Sequence, residues 1–501
     1  MKITSQKEKE IKGMNSFMQN LTNATNIGLT TNGAYAHKST NNPVYDLFAM
    51  GGAYRQRSDA DCILLFKNAF EYDANLALKC LFYLSDCRGG QGERRFFRVC
   101  YNWLANHYPT IADLNMKYIP EYRRWDDVIY SLIGTPIEYK MINFIKTQLN
   151  EDITCKTPSL LGKWMPSENA SSAETKRDAN IIRTNMGISH KQYRKLLSTL
   201  RQRINIVERL MSENRWDEIE FDKIPSKAGI IYKNAFARRD IIAKKYETFA
   251  KSSDTKVNAA TLYPYDVVNK AATANSSVDR AIVEKYWNNL PDYLNGAPLK
   301  MMCVVDTSGS MTWGMGPRPI DVAISLGMYC AERIGGPFKD HFITFSRNPQ
   351  LIKFEGVDFV DKVKRVIRRN ECSNTDLLAT FALLRRMAKQ SKPEDVPETI
   401  VVISDMQIDS GSYFSSKSEV LTEMESERIK WEAEGLKMPH LVYWNVNASD
   451  NNNNILDAGP NASYVSGCSP VIFKQVLTGK TGWDLCLDTI TAERYANICV
   501  R

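Results

Sequence analysis

At 501 residues the chain is too long for a single hydrophobic core, and two or three domains are expected. Its 43% hydrophobic and 24% charged residues are ordinary for a globular protein, and no run of 18 apolar residues offers a membrane-spanning helix. Lys and Arg number 65 against 57 Asp and Glu, a net of +8.

The charge is uneven. Residues 1–300 hold 43 basic and 32 acidic side chains, and residues 301–501 hold 22 and 25. The positive excess therefore lies wholly in the N-terminal part, which is a cue for a polyanionic partner. Eleven cysteines and five histidines are scattered, with no CxxC, no HExxH and no other metal-ligand spacing. Free thiols in a reducing, cytoplasmic setting are expected, and no local zinc site. The start, MKITSQKEKEIKG, lacks the apolar core of a secretory signal.

Residues 1–40 are polar and read as an N-terminal arm. Residues 41–295 read as a helical, repeat-like, basic domain. Phe96, Val99, Cys100, Trp103 and Leu104 fall on one face of a helix starting near residue 93, and Ile137, Met141, Ile142, Ile145 and Leu149 on one face of another over 136–149. A third helix is expected over 191–211, apolar at Leu196, Leu197, Leu200, Ile204, Val207, Leu210 and Met211, and basic on its other face. Ser226 is the expected N-cap of a further helix. Residues 166–180 and 271–277 read as loops, the second as a candidate linker. The recurring helices suit a HEAT-like solenoid or ring, although no sequence period is found.

The pattern changes at residue 299. LKMMCVVD and TIVVIS are nearly continuous apolar runs ending at Asp306 and Asp405, as strands buried on both faces of a parallel sheet do. HFITF and HLVYWNV are further strands, with ASYVSG a weaker last one. Helical stretches separate them, at about 319–334, 360–369, 376–388 and 417–434. Residues 296–501 therefore read as a doubly wound α/β domain.

The sharpest motif is Asp306-Thr-Ser308-Gly-Ser310, directly after the first buried strand. One carboxylate and two hydroxyls on one tight loop are hard oxygen donors, suited to Mg²⁺ (or Mn²⁺ or Ca²⁺) rather than zinc. Thr375 in SNTDLL and Asp405 in ISDMQ add two more donors at the matching ends of later elements. Such a set leaves the cation's shell incomplete, so an outside anion can complete it. No general base with a positioned nucleophile accompanies it, so binding rather than catalysis is expected.

In the helical part, RGGQGERR joins two helices. Its glycines at a helix start would expose amides that favour anions, with Arg88, Arg94, Arg95 and Arg98 adding charge, and the same residues fit an ordinary helix–helix turn whose glycines supply φ > 0 and whose arginines face water. IPEYRRWDD sets Arg123 and Arg124 beside Trp125, and SLLGKWMPSE sets Lys163 beside Trp164, pairings that suit single-stranded RNA and also, more commonly, a core tryptophan beside a surface Lys or Arg. Arg194 and Arg201 lie on the basic face of the 191–211 helix.

The D-x-S-x-S loop with Thr375 and Asp405 resembles the metal-ion-dependent adhesion site (MIDAS) of von Willebrand factor A domains, over the C-terminal 200 residues. In that family the hydroxyls contact the metal and the aspartates act directly or through water. With RGGQGERR, IPEYRRWDD, KWMPSE and PSKAGIIYKNAFARRD ahead of it, the chain resembles the Ro autoantigen (TROVE-type) superfamily, nearest to its viral and phage-associated relatives, over about residues 42–500. The resemblance implies a ribonucleoprotein role, in which helical repeats hold small structured or single-stranded RNA and the A domain recruits a partner. It also leaves open a scaffold, virion-associated or within another assembly, that docks an acidic partner residue through the metal. A monomer or one part of a larger assembly is expected, with no membrane.

Overall fold

The computed structural model describes residues 25–204, 206–314, 316–345, 348–369, 376–409, 421–449 and 453–501. The chain forms an α-helical N-terminal part and an α/β C-terminal part, and its contacts gather into two units. One unit contains residues 1–80 and 262–494, and the other residues 81–261 and 495–501. The units do not divide at 40/41 and 295/296, where the sequence changes character. Helical periodicity shows which face of a helix is apolar but not which surface covers it.

The first unit is built on a six-stranded sheet of β3 (Met301–Asp306), β4 (His341–Phe345), β5 (Gln350–Lys353), β6 (Thr399–Ser404), β7 (His440–Asn445) and β8 (Ala462–Ser466), in the order β5-β4-β3-β6-β7-β8. Every pairing is parallel except β4–β5. The apolar runs become strands because both faces are covered: Val304, Val305, Val401 and Val402 are fully buried. Gly327 lets the Pro319–Arg333 helix lie close to β3, since a Cβ there would sit 2.7 Å from a Val305 methyl. Strand β5 escaped the sequence reading because it is a four-residue edge strand with only Ile352 turned inward.

Segments assigned elsewhere by their sequence also belong to this unit. Residues 25–40 are not a loose arm: β1 (Ile27–Leu29) and β2 (Tyr35–His37) pair as an antiparallel hairpin. The Pro43–Met50 helix packs on β8, where the Tyr45 hydroxyl accepts from the Tyr464 amide at 2.8 Å and the Ser466 hydroxyl donates to the Phe48 carbonyl at 2.9 Å. The expected 271–277 linker is reduced to a turn at residues 273–276 within the unit, because the Pro264–Ala272 and Ser277–Asn288 helices on either side both pack against the Phe359–Arg369 helix.

His37 and Glu425 meet in the interior at 3.0 Å. Burial alone would raise the Glu425 carboxyl, but bonds from His37 and from the Thr422 and Ala458 amides outweigh it and hold the group below its usual range. A depressed acid contributes stability that is present above its unfolded pKa and lost as pH falls through the folded value. Glu425→Gln is therefore expected to cost more at pH 7 than at pH 4, as read by urea unfolding at the two pH values. An equal cost at both would refute this.

The second unit is helical throughout. Its longer helices are Arg94–His107, Trp125–Leu132, Glu138–Thr154, Ala173–Met186, His190–Ile204, Ser226–Arg238 and Asp240–Lys251. The stripes at 96–104 and 137–149 face inward as expected, with Val99 and Trp103 half-buried. Three expectations change. The 191–211 helix is broken into His190–Ile204 and Val207–Ser212. Ser226 is not the cap but the first helical residue after Pro225, and its hydroxyl bonds the Asn258 carbonyl. The 166–180 loop gives way to a helix at Ala173, capped by Ser172, whose first apolar residue to be buried is Ala179. The ten cysteines among the described residues are all free, and no helix among them is long and apolar enough to cross a membrane.

Candidate functional site

Strands β3 and β6 are parallel neighbours in the middle of the sheet, with Val305 opposite Ile403. From β3 the chain first builds outward through β4 and β5, then returns to build β6 to β8 on the other side. The sheet thus reverses its winding between β3 and β6, and ligands of doubly wound sheets bind at the carboxyl ends of strands at such a point. Asp306 ends β3, and Asp405 follows the last residue of β6. Two carboxylates separated by about a hundred residues are thereby brought to one crevice.

The Asp306 side chain is fully buried. One of its oxygens accepts from the Ser308 amide at 2.9 Å and the other from the Ser404 hydroxyl at 2.5 Å. Ser308 and Ser310 hold their hydroxyls 3.0 Å apart on the short 3₁₀ turn that follows. Burial, and next the charge of Asp405, push the Asp306 carboxyl up to about 7, against the opposing pull of the Ser404 and Ser308 bonds. Beyond Asp405, Met406 takes a left-handed backbone with φ 61°, unusual for a side chain of its size. The indole of Trp313 stands 79% exposed after the serine turn. Among the described residues no three His, Cys, Asp or Glu side chains form a metal cage; the donors here are two carboxylates and two hydroxyls. Thr375, the fifth expected donor, lies outside the described residues, and its neighbour Asp376 caps the Leu377–Gln390 helix.

One part of this site was invisible in the sequence. The β1–β2 hairpin braces the loop carrying Asp405: the Thr30 hydroxyl donates to the Ile408 carbonyl, the Asn32 amide to the Gln407 carbonyl, and the Gln407 side chain accepts from the Thr31 amide, each at 2.7 Å. These contacts join residues more than 370 positions apart, and no local pattern announces them.

The residues expected to contact RNA have a different setting. Asp126 and Asp127, at the start of the Trp125–Leu132 helix, gather four of the arginines. Asp127 accepts from Arg94 at 2.9 Å, Arg98 at 2.5 Å and Arg123 at 3.1 Å; Asp126 pairs with Arg94, Arg98 and Arg124. Arg123 is buried and also bonds the Ser85 and Glu93 carbonyls. Arg124 lies 3.9 Å over the Trp164 ring, Lys163 pairs with Glu208 at 3.4 Å, and Arg88 donates to the Glu121 carbonyl at 2.9 Å. Arg95 is half-buried on the Arg94–His107 helix. Arg194 and Arg201 lie on the His190–Ile204 helix, Arg201 bonding the Gly162 and Met165 carbonyls on either side of Lys163 and Trp164.

The glycine turn is not an open anion nest either. Its amides are taken by the preceding helix: Gly90 and Gly92 donate to Asp86, Gln91 to Tyr83 and Glu93 to Leu84. Gly90 is required by this close approach, since a Cβ there would sit 1.8 Å from the Tyr83 carbonyl oxygen. Gly90→Ala is expected to cost about 1–3 kcal/mol or more, read as a lowered urea midpoint. An unchanged midpoint would contradict the packing of this turn.

Comparison with known proteins returns two domain families. Residues 300–493 match one described as a domain of unknown function (DUF7788), and residues 30–127 and 160–296 match a second with the same description (DUF2828). An uncharacterized protein of Acanthamoeba polyphaga mimivirus is 28% identical over 468 residues, covering 85% of this chain and 80% of the viral protein. The chain is thus similar over most of its length to a viral protein, and it unites matches to two domain families whose functions are unknown.

Proposed function

We propose that the chain is a binding module that holds a divalent cation at the β3/β6 crevice and uses it to dock an anionic group of a partner, in the manner of a von Willebrand A domain. The observation that carries this reading is the convergence of Asp306 and Asp405 on the ends of adjacent central strands, beside the paired hydroxyls of Ser308 and Ser310. The donor set fits Mg²⁺ or Mn²⁺: every group is a hard oxygen, and the charge of Asp405 against the buried Asp306 carboxyl is a repulsion that a cation between them would relieve. Thr375 would be the fifth ligand. Ser308 and Ser310 would hold the ion by their hydroxyls, and Asp405 and Asp306, the latter fixed by Ser404, would hold it directly or through water. When bound, the ion supplies an electrophilic point that a carboxylate or phosphate oxygen can complete, and the exposed Trp313 offers an apolar contact beside it.

The test is calorimetric titration of metal-stripped protein with Mg²⁺ and Mn²⁺, followed by thermal melting. One saturable site is expected, and Mg²⁺ at about 100 times Kd stabilises the fold by about 2.7 kcal/mol. Absence of both heat and stabilisation would sink the reading. A viral relative is compatible with a scaffold role in an assembly.

An RNA-binding role of the Ro type retains one specific support. The unit of residues 81–261 and 495–501 holds 31 basic and 21 acidic side chains, a net of +10, whereas the other holds 34 and 36. Four of the arginines first expected to contact RNA are paired with Asp126 and Asp127, so such a role would fall mainly to other basic groups.

A further inference from the structure

A groove of about 500 Å³ lies in the helical unit between the His190–Ile204 and Val207–Ser212 helices and the 167–169 segment. Ser167, Arg194, Ser198, Arg201 and Arg209 line it, over an apolar wall at Leu197. Two carboxylates, Glu168 and Glu208, also face it, but each is matched by a cation outside the lining. Glu168 pairs with Arg183 at 3.0 Å and His190 at 2.6 Å, and Glu208 with Lys163 at 3.4 Å. Of the three guanidiniums, Arg209 is matched by Glu213 at 2.6 Å. The other two are not matched by any carboxylate among the described residues.

Among the described residues, Arg201 is held in place by neutral groups alone. Its Nε donates to the Gly162 carbonyl at 3.0 Å, and its two terminal nitrogens to the Ser167 hydroxyl and the Met165 carbonyl at 2.9 Å each. Three of its five N–H donors are thereby used, leaving two for a ligand. Among the described residues Arg194 makes one bond, to the His190 carbonyl at 3.3 Å, and it is otherwise exposed. A half-buried guanidinium fixed by carbonyls and a hydroxyl, with a second one two turns away on the same helix and lining the same groove, is arranged for an oxyanion of charge near −2. Burial without a carboxylate also lowers the pKa of Arg201 from its ordinary value, a cost that a bound anion would relieve.

We infer that this groove is a phosphate-binding site, in which Arg194 and Arg201 grip a phosphoryl group and Ser198 borders it. The chemistry is shared by free phosphate and by the phosphates of a nucleic acid backbone, and the groove has room for more than one phosphate. The inference is independent of the metal reading, since it concerns other residues in the other unit.

The experiment uses the full chain. Inorganic phosphate is titrated by calorimetry against chloride at matched ionic strength, for the native protein, Arg194→Gln and Ser198→Glu. Neither substitution removes a contact that holds the fold, and melting temperatures check this; Arg201→Gln is left out because it would free the 162–167 segment. Saturable phosphate binding is expected, weakened about 10- to 100-fold by each variant. A short oligouridylate is then added to the phosphate complex. Displacement assigns the site to a nucleic acid backbone, and persistence assigns it to free phosphate; both support the groove. No preference for phosphate over chloride, or equal affinity in all three proteins, overturns it.

Discussion

Asp306→Asn is expected to abolish stabilisation by Mg²⁺ while making the metal-free protein more stable at pH 8. The two effects share one cause. Asp306 is fully buried beside the charge of Asp405, and its carboxyl is pushed up to about 7. An acid whose folded pKa is raised keeps its proton in the folded chain when the unfolded chain has lost it. Stability is therefore lost as pH rises from about 4 to about 7, and the full penalty stands above that range. At pH 8 it amounts to up to about 4 kcal/mol in the absence of metal. Asparagine removes the charge but keeps an acceptor for the Ser308 amide. The variant should therefore show a flatter stability profile between pH 4 and pH 7, a higher melting temperature than metal-free native protein at pH 8, and no response to Mg²⁺. If Mg²⁺ stabilises the variant as much as the native chain, the cation is not held at this crevice. If the native profile is already flat, the two aspartates do not share a buried site.

Asp127→Asn is expected to cause the largest loss of stability, about 3–5 kcal/mol, because it strands buried positive charge. Asp127 is fully buried and accepts from Arg94, Arg98 and Arg123. Burial by itself would raise its carboxyl, but Arg123, Arg98 and Arg94 more than offset that and hold it below the usual range. Asp126 behaves oppositely: burial, and next the charge of Asp127, raise it despite Arg94 and Arg98. Arg123 has only 4% of its side chain exposed, so it cannot turn to water when Asp127 is neutralised. The contribution of Asp127 is present above the unfolded carboxylate pKa and disappears as pH falls through the depressed folded value. Urea unfolding at pH 7 measures the loss, and a double-mutant cycle with Arg94→Gln should be non-additive because the two share one network. A loss below about 1 kcal/mol would place this cluster with ordinary surface pairs.

The same cluster shows why charge read from sequence overstates a binding surface. Arg94 and Arg98 sit one helical turn apart, and their spacing suits a phosphate as well as a carboxylate. Their acidic partners lie about thirty positions further on, at Asp126 and Asp127, within the segment whose Arg123 and Arg124 were themselves read as RNA contacts. Arg201 shows the reverse case: its charge was legible, but only the fold shows that carbonyls hold it and that no carboxylate among the described residues answers it.

The sequence by itself determined the kinds of element and the local chemistry. Continuous apolar runs specify strands buried on both faces, apolar spacing of three and four specifies the helical stripes, and D-x-S-x-S ties a carboxylate and two hydroxyls to one turn, because all of these are set by near neighbours. Only the tertiary structure decided which distant elements share a surface. It set Asp405 beside Asp306 through the β3–β6 pairing, braced the Asp405 loop with a hairpin from residues 27–37, and laid the Pro43–Met50 helix on β8 as well as against the Asp59–Tyr72 helix. The physical reason is that burial and charge compensation act through space and carry no memory of sequence separation, so a stripe or an arginine declares a need for a partner without naming it.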